Sequence, residues 1–235
     1  MVVPLKISCI LTSYNRPRMV RQALKSVFDQ TYKNYELLIF DDSTAFKIMD
    51  VLSEFKFPSL QVHHADITAE ERRARGRLGV NCNLGLHIAQ GDLICFLCDD
   101  DYYYPQWFEH AASFFDTNSN LDKRVGFGAL SYSENQEMEF PIHGFGIWHD
   151  YPISAPGNRL DHNQVMHRRF DPYFRWPEDF HSSVAPDASY FSTIAKAGHN
   201  FYPIPSYAVV KRRHSKNLQN TLEEIGTPDG EKLRE

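Results

Sequence analysis

The triplet Asp99-Asp100-Asp101 is the stretch of this sequence best equipped to do chemistry. It follows Asp92–Cys98 (DLICFLC), a run apolar at nearly every position, so three neighbouring carboxylates end a strand. Side by side they repel one another. A divalent cation removes the conflict: hard ions such as Mg²⁺ or Mn²⁺ take carboxylate oxygens and commonly bridge to phosphates. A solvated acidic turn is the other reading of the same residues. Asp41-Asp42 repeats the pattern after Glu36–Phe40 (ELLIF). An acid at a strand end accepts hydrogen bonds from a ribose or a base edge; with Ser43 it would equally cap the following helix. His214 follows Lys211-Arg212-Arg213. A His beside two Arg suits a diphosphate or completes a metal shell, and it also suits an exposed basic run. Asp187, within Ala185-Pro186-Asp187-Ala188, reads from its surroundings only as a helix N-cap.

Several other chemistries are excluded. The dinucleotide fingerprint Gly-x-Gly-x-x-Gly is missing after the first strand, where Thr12-Ser13-Tyr14-Asn15 stands instead. Gly126-Phe127-Gly128 and Gly144-Phe145-Gly146 lack the third glycine, and no loop ends in Gly-Lys-Ser/Thr. Phosphates, if bound, must be held by a cation and side chains. A nucleotidyltransferase would want a Gly-rich loop and a Lys after the first strand, and neither is present. Cys95 and Cys98 form a Cys-x-x-Cys, but Cys9 and Cys82 are not spaced as a second pair. Residues three apart on a strand also face opposite sides, so these read as buried strand cysteines. A net charge of −5 lacks the basic footprint of a nucleic-acid binder. No apolar run approaches the roughly 18 residues of a membrane span. No signal-peptide cleavage pattern follows Met1–Tyr14, and cytoplasm is the expected compartment.

The elements that must position these groups alternate along the first hundred residues. Lys6–Leu11 reads as a buried strand. Pro17 suits the first turn of a helix whose apolar stripe is Met19, Val20, Ala23, Leu24, Val27 and Phe28. After the strand Glu36–Phe40, the residues Phe46, Met49, Leu52 and Phe55 suggest a second helix. Leu60–His64 suggests a third strand, and Arg72–Ala89 a helix stopped by Gly91. Such alternation argues a mostly parallel sheet with helices on both faces, in which ligands bind beyond the carboxyl ends of the strands. Thr12–Asn15, Asp41–Ser43 and Asp99–Asp101 all fall at that edge. Further on, Pro105–Phe115 and Asp187–Ala197 read as helices, Gln164–Arg168 and Tyr207–Lys211 as strands, and residues 126–160 show no clear period. With 42% apolar residues and no linker, the 235 residues read as one α/β domain. Residues 1–101 carry the regular alternation, 102–214 are less regular and 215–235 form a polar tail.

Taken together the pieces resemble family 2 of the inverting, nucleotide-sugar-dependent glycosyltransferases, with the GT-A fold. Ser8–Arg16 (SCILTSYNR), Tyr35–Ser43 (YELLIFDDS), Asp66–Thr68, Gly91–Pro105 (GDLICFLCDDDYYYP) and Asp161–Arg168 (DHNQVMHR) carry the resemblance, in that order. The resemblance implies a nucleotide pocket lined by Thr12, Tyr14 and Arg16, with Tyr14 stacking on the base and Asp42 accepting the N3–H of uracil or thymine. It implies that Arg72, Arg73 or Arg77 contacts nucleotide or phosphate, without choosing among them. Asp99 would bond the ribose or a water beside the metal. Asp100 would hold Mn²⁺ or Mg²⁺, with Asp101 and His214 as further ligands. Asp187 would be the catalytic base. The partners implied are a UDP- or dTDP-sugar and an acceptor hydroxyl, and the aromatics Phe127, Tyr132, Phe145, Trp148 and Tyr151 would help shape the acceptor site. A protein that keeps the fold and binds the nucleotide sugar without turnover is the alternative.

Overall fold

In the computed structural model, Ile7, Cys9 and Leu11 of the first strand enter one apolar core while Ile10 enters another. This is what period-two alternation produces in a sheet covered on both faces. The structure describes residues 4–213 except 75, 119–122, 135–136, 141–144 and 180–184. In chain order its main elements are β1 (Ile7–Ser13), α1 (Pro17–Phe28), β2 (Tyr35–Asp41), α2 (Ile48–Leu52), β3 (Leu60–His64), α3 (Ala69–Ala74), α4 (Arg77–Ile88), β4 (Leu93–Cys98), β5 (Tyr102–Tyr103), α5 (Trp107–Thr117), β6 (Val125–Ser133), β7 (Phe145–Ile147), β8 (Val165–Arg168), α6 (Pro186–Lys196) and β9 (Phe201–Arg212).

The sheet runs β3-β2-β1-β4-β8-β6-β9-β5, with β7 paired to β6. Its first four strands are parallel, as the alternating pattern requires. Beyond β4 the direction changes: β8 is antiparallel to both β4 and β6, β9 is parallel to β6, and β5 is antiparallel to β9. One core lies under α1, α2 and α5, the other under α4 and α6. Register sets the working edge. Ser13 pairs with Asp41 and Thr12 with Cys98, so the three polar clusters leave the sheet side by side.

The structure departs from the sequence expectations in four places. The helix expected over Arg72–Ala89 is two helices, and the amide of Gly76 between them donates to Glu178 O at 3.0 Å. Glycine carries the largest entropic cost inside a helix, so the break falls there at little loss. The helix suggested by Phe46–Phe55 shrinks to α2, and its two outer aromatics pack against the core from flanking loops. The irregular stretch after residue 125 begins with β6, a central strand. The strand expected at Tyr207–Lys211 extends back to Phe201 through Pro203 and Pro205, beside register shifts in its pairing with β6. Proline is confined to such irregularities because it donates nothing to the ladder.

Candidate active site

β1 ends in a turn in which Asn15 takes a positive φ of 52°. Asparagine tolerates this conformation because its short side chain bonds nearby backbone. Asn15 Oδ1 accepts from Thr44 N at 2.9 Å and Ala45 N at 2.8 Å, and Asn15 N donates to Ser43 Oγ at 2.8 Å. These bonds stitch the loop after β1 to the loop after β2, with Tyr14 and Arg16 on either side of the turn.

Asp42, 1% exposed, is gripped by this part of the chain. Arg77 donates to it through two nitrogens, Nη2 to Oδ1 at 2.6 Å and Nε to Oδ2 at 3.0 Å. Asn81 Nδ2 donates to Oδ2 at 3.0 Å and Arg72 Nη1 at 3.3 Å. The Arg72 guanidinium also lies 4.0 Å from the centre of the Tyr14 ring, a cation–π contact on the ring expected to stack on a base. Of the three arginines left open by the sequence, Arg72 and Arg77 both reach Asp42. The side chain of Arg73 and all of His214 lie outside the described residues. Asp41 and Ser43 do not cap a helix: α2 starts at Ile48 after Lys47. Instead Asp41 Oδ1 accepts from Ser43 Oγ at 2.5 Å, and His64 Nδ1 meets Oδ2 at 2.9 Å.

At the end of β4 the acidic triplet splits. Asp99 is buried, accepting from Tyr14 N at 2.8 Å and from Arg16 Nη1 at 2.7 Å. The same Arg16 nitrogen lies 3.0 Å from Asp100 Oδ2, so the chain supplies its own cation against the repulsion read from the sequence. Burial pushes Asp99 up to about 6; Arg16 opposes the shift and Asp100 adds to it. Asp101 faces inward. Its Oδ2 accepts from Asn163 Nδ2 at 2.8 Å and its Oδ1 from Arg212 N at 2.9 Å. Burial and the neighbouring Asp100 raise its pKa well above the ordinary value. The Asp100 carboxylate is 16% exposed, and an accessible carboxylate is the donor type that Mg²⁺ and Mn²⁺ take, so the residues present fit such an ion.

Asp187 stands at the first turn of α6, its side chain 19% exposed. Its Oδ1 accepts from Ala188 N at 2.8 Å, and its Oδ2 lies 3.5 Å from His162 Nδ1. His162 belongs to a 3₁₀ turn, His162–Gln164, opened by Asp161. The Asp161 side chain accepts from Asn163 N while Gln164 reaches back to the Asp161 amide, a reciprocal cap. Lys211 pairs with Asp161 Oδ2. Burial alone would raise Asp161, but Lys211 and His162 hold it well below the usual carboxylate range. Burial alone would lower His162; Cys98, Asp187 and Asp161 around it outweigh burial and raise it. Side-chain atoms of Asp161, His162 and Asp187 that could ligate an ion lie within 4.8 Å of one another, but the Lys211 ammonium already serves Asp161. Three bonds tie this side to the end of β4 and the triplet: Asn163 Nδ2 to Asp101, Cys98 N to Asn163 Oδ1, and Cys98 Sγ to His162 Nε2 at 3.2 Å.

Sequence reasoning missed Asp161, His162, Asn163 and Lys211 as parts of the site. One signal was present, since Asp161-x-x-Gln164 before Val165 has the spacing of a cap that fixes polar side chains. The basic run Lys211-Arg212-Arg213 is not simply exposed, because Arg212 is 3% exposed and donates to Asp100 O and Gln22. Thr12 faces the same region, with Oγ1 3.8 Å from Cys98 Sγ. Among the aromatics expected near an acceptor, Phe127 is fully buried, whereas Tyr151 is 50% exposed.

Comparison with known proteins places these features in a family. The model described as "Glycosyl transferase family 2" matches residues 8–172. The chain is 29% identical over 170 residues to Protein CgeD of Bacillus subtilis (strain 168), covering 70% of this chain and 38% of that protein. It is 30% identical over 138 residues to the UDP-Glc:alpha-D-GlcNAc-diphosphoundecaprenol beta-1,3-glucosyltransferase WfaP of Escherichia coli, covering 59% of this chain and 49% of that one. The chain therefore spans at most about half the length of these two relatives. Among solved structures, S. aureus TarS 1-349 in complex with UDP superposes with a TM-score of 0.69 at 17% identity, over 93% of this chain and 63% of that one. That likeness establishes the fold. No helix among the described residues is long and apolar enough to cross a membrane.

Proposed function

The chain belongs to glycosyl transferase family 2, and on that footing we propose that it is a metal-dependent, inverting transferase moving a sugar from a UDP- or dTDP-sugar to an acceptor hydroxyl. The observation that carries this reading is the convergence at one sheet edge of Asp42, the Asp99–Asp100 pair and, at the start of α6, Asp187, all far apart in sequence. The motif order also resembles that of the spore-coat polysaccharide glycosyltransferase SpsA of the bacilli, which would make a growing saccharide the acceptor and the cytoplasm the place of reaction.

Each residue has a role in this reading. Asp42, fixed by the Arg77 fork, accepts the pyrimidine N3–H. Tyr14 stacks on the base once Arg72 leaves its ring and turns to the diphosphate, and Thr12 lines the same pocket. Asp99 accepts from the ribose or from a water beside the ion. Asp100 would hold the Mn²⁺ or Mg²⁺, with His214 as a further ligand, while Asp101 braces the loop. When bound, the ion neutralises charge on the diphosphate leaving group. Arg16, now on Asp99 and Asp100, is the cation nearest to replace or join it. Asp187 takes the proton of the acceptor hydroxyl as the oxygen bonds to the anomeric carbon. The bond from that carbon to the diphosphate breaks on the opposite face, and its electron pair leaves with the phosphate. One displacement inverts the centre.

The test is direct. The protein is incubated with UDP- and dTDP-sugars and Mn²⁺, and release of nucleoside diphosphate is followed with and without chelator. Metal-dependent release supports the reading. Tight binding of UDP without release from any donor would assign the chain instead to the non-catalytic alternative.

A further inference from the structure

Two residues that the donor-binding account leaves idle, Cys98 and His162, link Thr12 of the nucleotide pocket to Asp187 on α6. Thr12 Oγ1 lies 3.8 Å from Cys98 Sγ, Cys98 Sγ lies 3.2 Å from His162 Nε2, and His162 Nδ1 lies 3.5 Å from Asp187 Oδ2. The partner of the Nδ1–H follows from its surroundings. Asp161 is the other carboxylate near Nδ1, at 3.8 Å. Its Oδ1 already accepts from Asn163 N and Nδ2, and its Oδ2 from Lys211. Asp187 Oδ1 is taken by its own helix through Ala188 N. The remaining match is Nδ1–H to Asp187 Oδ2, with Nε2 facing the thiol. The ring cannot drift, because Trp176 packs edge-on to it at 5.5 Å and the Cys98 amide donates to Asn163 Oδ1 at 2.8 Å, anchoring the turn to β4.

We propose that His162 is a positioning residue for the base: its Nδ1–H holds Asp187 Oδ2 in place, while Cys98 fixes the ring from the end of β4, the strand that leads directly into Asp99–Asp101. This rests on the glycosyltransferase reading of Asp187. An ionised carboxylate oxygen has two lone pairs, so Oδ2 accepts from His162 and still takes the acceptor proton. The separation of 3.5 Å is long for a hydrogen bond, and such bonds commonly tighten only in the reacting complex. The arrangement makes the direction of the base depend on β4 rather than on α6 alone. Donor site and base are then set by one strand end.

Two readouts test it. In protein labelled with ¹⁵N-histidine, His162 shows a slowly exchanging, downfield Nδ1–H signal, assigned by its loss in His162→Asn; Asp187→Ala shifts it upfield. An unmoved signal in Asp187→Ala overturns the proposal whatever the enzyme does. In the second arm, donor turnover is compared in two variants. His162→Asn keeps an N–H near the Nδ1 position and retains most of kcat. His162→Gln places its amide near Nε2 and loses kcat by about 10²-fold, the scale of a misplaced reacting group, with donor KM unchanged. Equal losses in both variants, or a loss confined to KM, would reduce His162 to packing. If wild type releases no nucleotide from any donor, the glycosyltransferase reading fails, while the first arm still decides the hydrogen bond.

Discussion

The proposed donor side and the proposed base side of the site neutralise their carboxylates in different ways. Around Asp42, Asp99 and Asp100 the charged partners are arginines: Arg77 is only 13% exposed, but Arg16 and Arg72 keep 24% and 31% of their side chains exposed. Around Asp161 and Asp187 the partners are a lysine, an imidazole and backbone amides, and the Asp161 and His162 side chains are only 6% and 10% exposed. A half-exposed guanidinium on a flexible stem can be exchanged for a nucleotide or an ion at small cost, as surface pairs contribute little. A buried, fully hydrogen-bonded cluster does not rearrange so easily. The donor pocket is thus built to swap partners, and the base pocket to hold one geometry.

The sharpest way to break this division is at Asp187. Asp187→Asn keeps the shape and the bond to Ala188 N but removes the proton acceptor. Turnover should fall by about 10²–10⁴-fold, while UDP affinity measured by calorimetry stays within twofold. A parallel loss of UDP binding would show that the two sides are not separate. Asp42→Ala should give the opposite pattern. It leaves Arg77 and Asn81 without their common acceptor, and breaking such a buried pair costs about 3–4 kcal/mol, measurable by urea unfolding. UDP affinity should fall with it, and kcat at saturating donor should persist.

These sites were unevenly legible in the sequence. Asp42 and Asp99–Asp101 could be found because each follows an apolar run, and a sheet places strand ends together whatever the intervening length. Asp187 is invisible from its neighbours. Nothing in Ala185-Pro186-Asp187-Ala188 separates a base from a cap, and only resemblance to a family singled it out. The inward turn of Asp101 depends on Asn163 and Arg212, 62 and 111 residues away, and no local pattern records such a pairing. β6 escaped for another reason. Its Gly126 and Gly128 weaken strand propensity, yet a Cβ on Gly128 would sit 2.7 Å from the Trp107 ring and 2.8 Å from Ala208 Cβ. Glycine is there because α5 and β9 approach the strand, a tertiary cause.

A buried histidine under α6 extends the contrast to pH. His167, on β8, is buried among Phe96, Phe170 and Tyr190, with Tyr190 Oη 2.9 Å from Nε2. Burial pulls its pKa down to about 4, so it stays neutral where the unfolded chain, near 6.5, takes up a proton. Between those values the unfolded state binds more protons, and stability falls as pH drops through the window, by up to about 3 kcal/mol. Asp99, raised to about 6, acts in the opposite sense, so the readout is the difference: in urea titrations from pH 7 to 4.5 wild type should lose more stability, or gain less, than His167→Gln. An unchanged slope in the variant would place the acid sensitivity elsewhere.

The smallest expected effect tests the seam between the two sides. Gly79 of α4 packs so closely on the segment before the base that an added Cβ would lie 1.8 Å from Pro177 O and 2.8 Å from Pro177 C. Both are backbone atoms, so no rotamer change relieves the clash and one element must move. Asn83 of α4 resists, donating to Trp176 O at 3.0 Å and accepting from Trp176 N at 2.8 Å. Trp176 in turn stacks on Tyr190 of α6 at 4.7 Å and packs against His162. Gly79→Ala should cost about 1–3 kcal/mol of stability, the usual penalty for overpacking. Since α4 also carries Arg77 and Asn81, the strain has two exits. If the donor side is the adaptable one, α4 shifts, UDP binding weakens and kcat at saturating donor is kept. A loss of kcat larger than the loss of UDP affinity would mean that the strain runs through Trp176 into His162 and Asp187, and that the base side is the softer half.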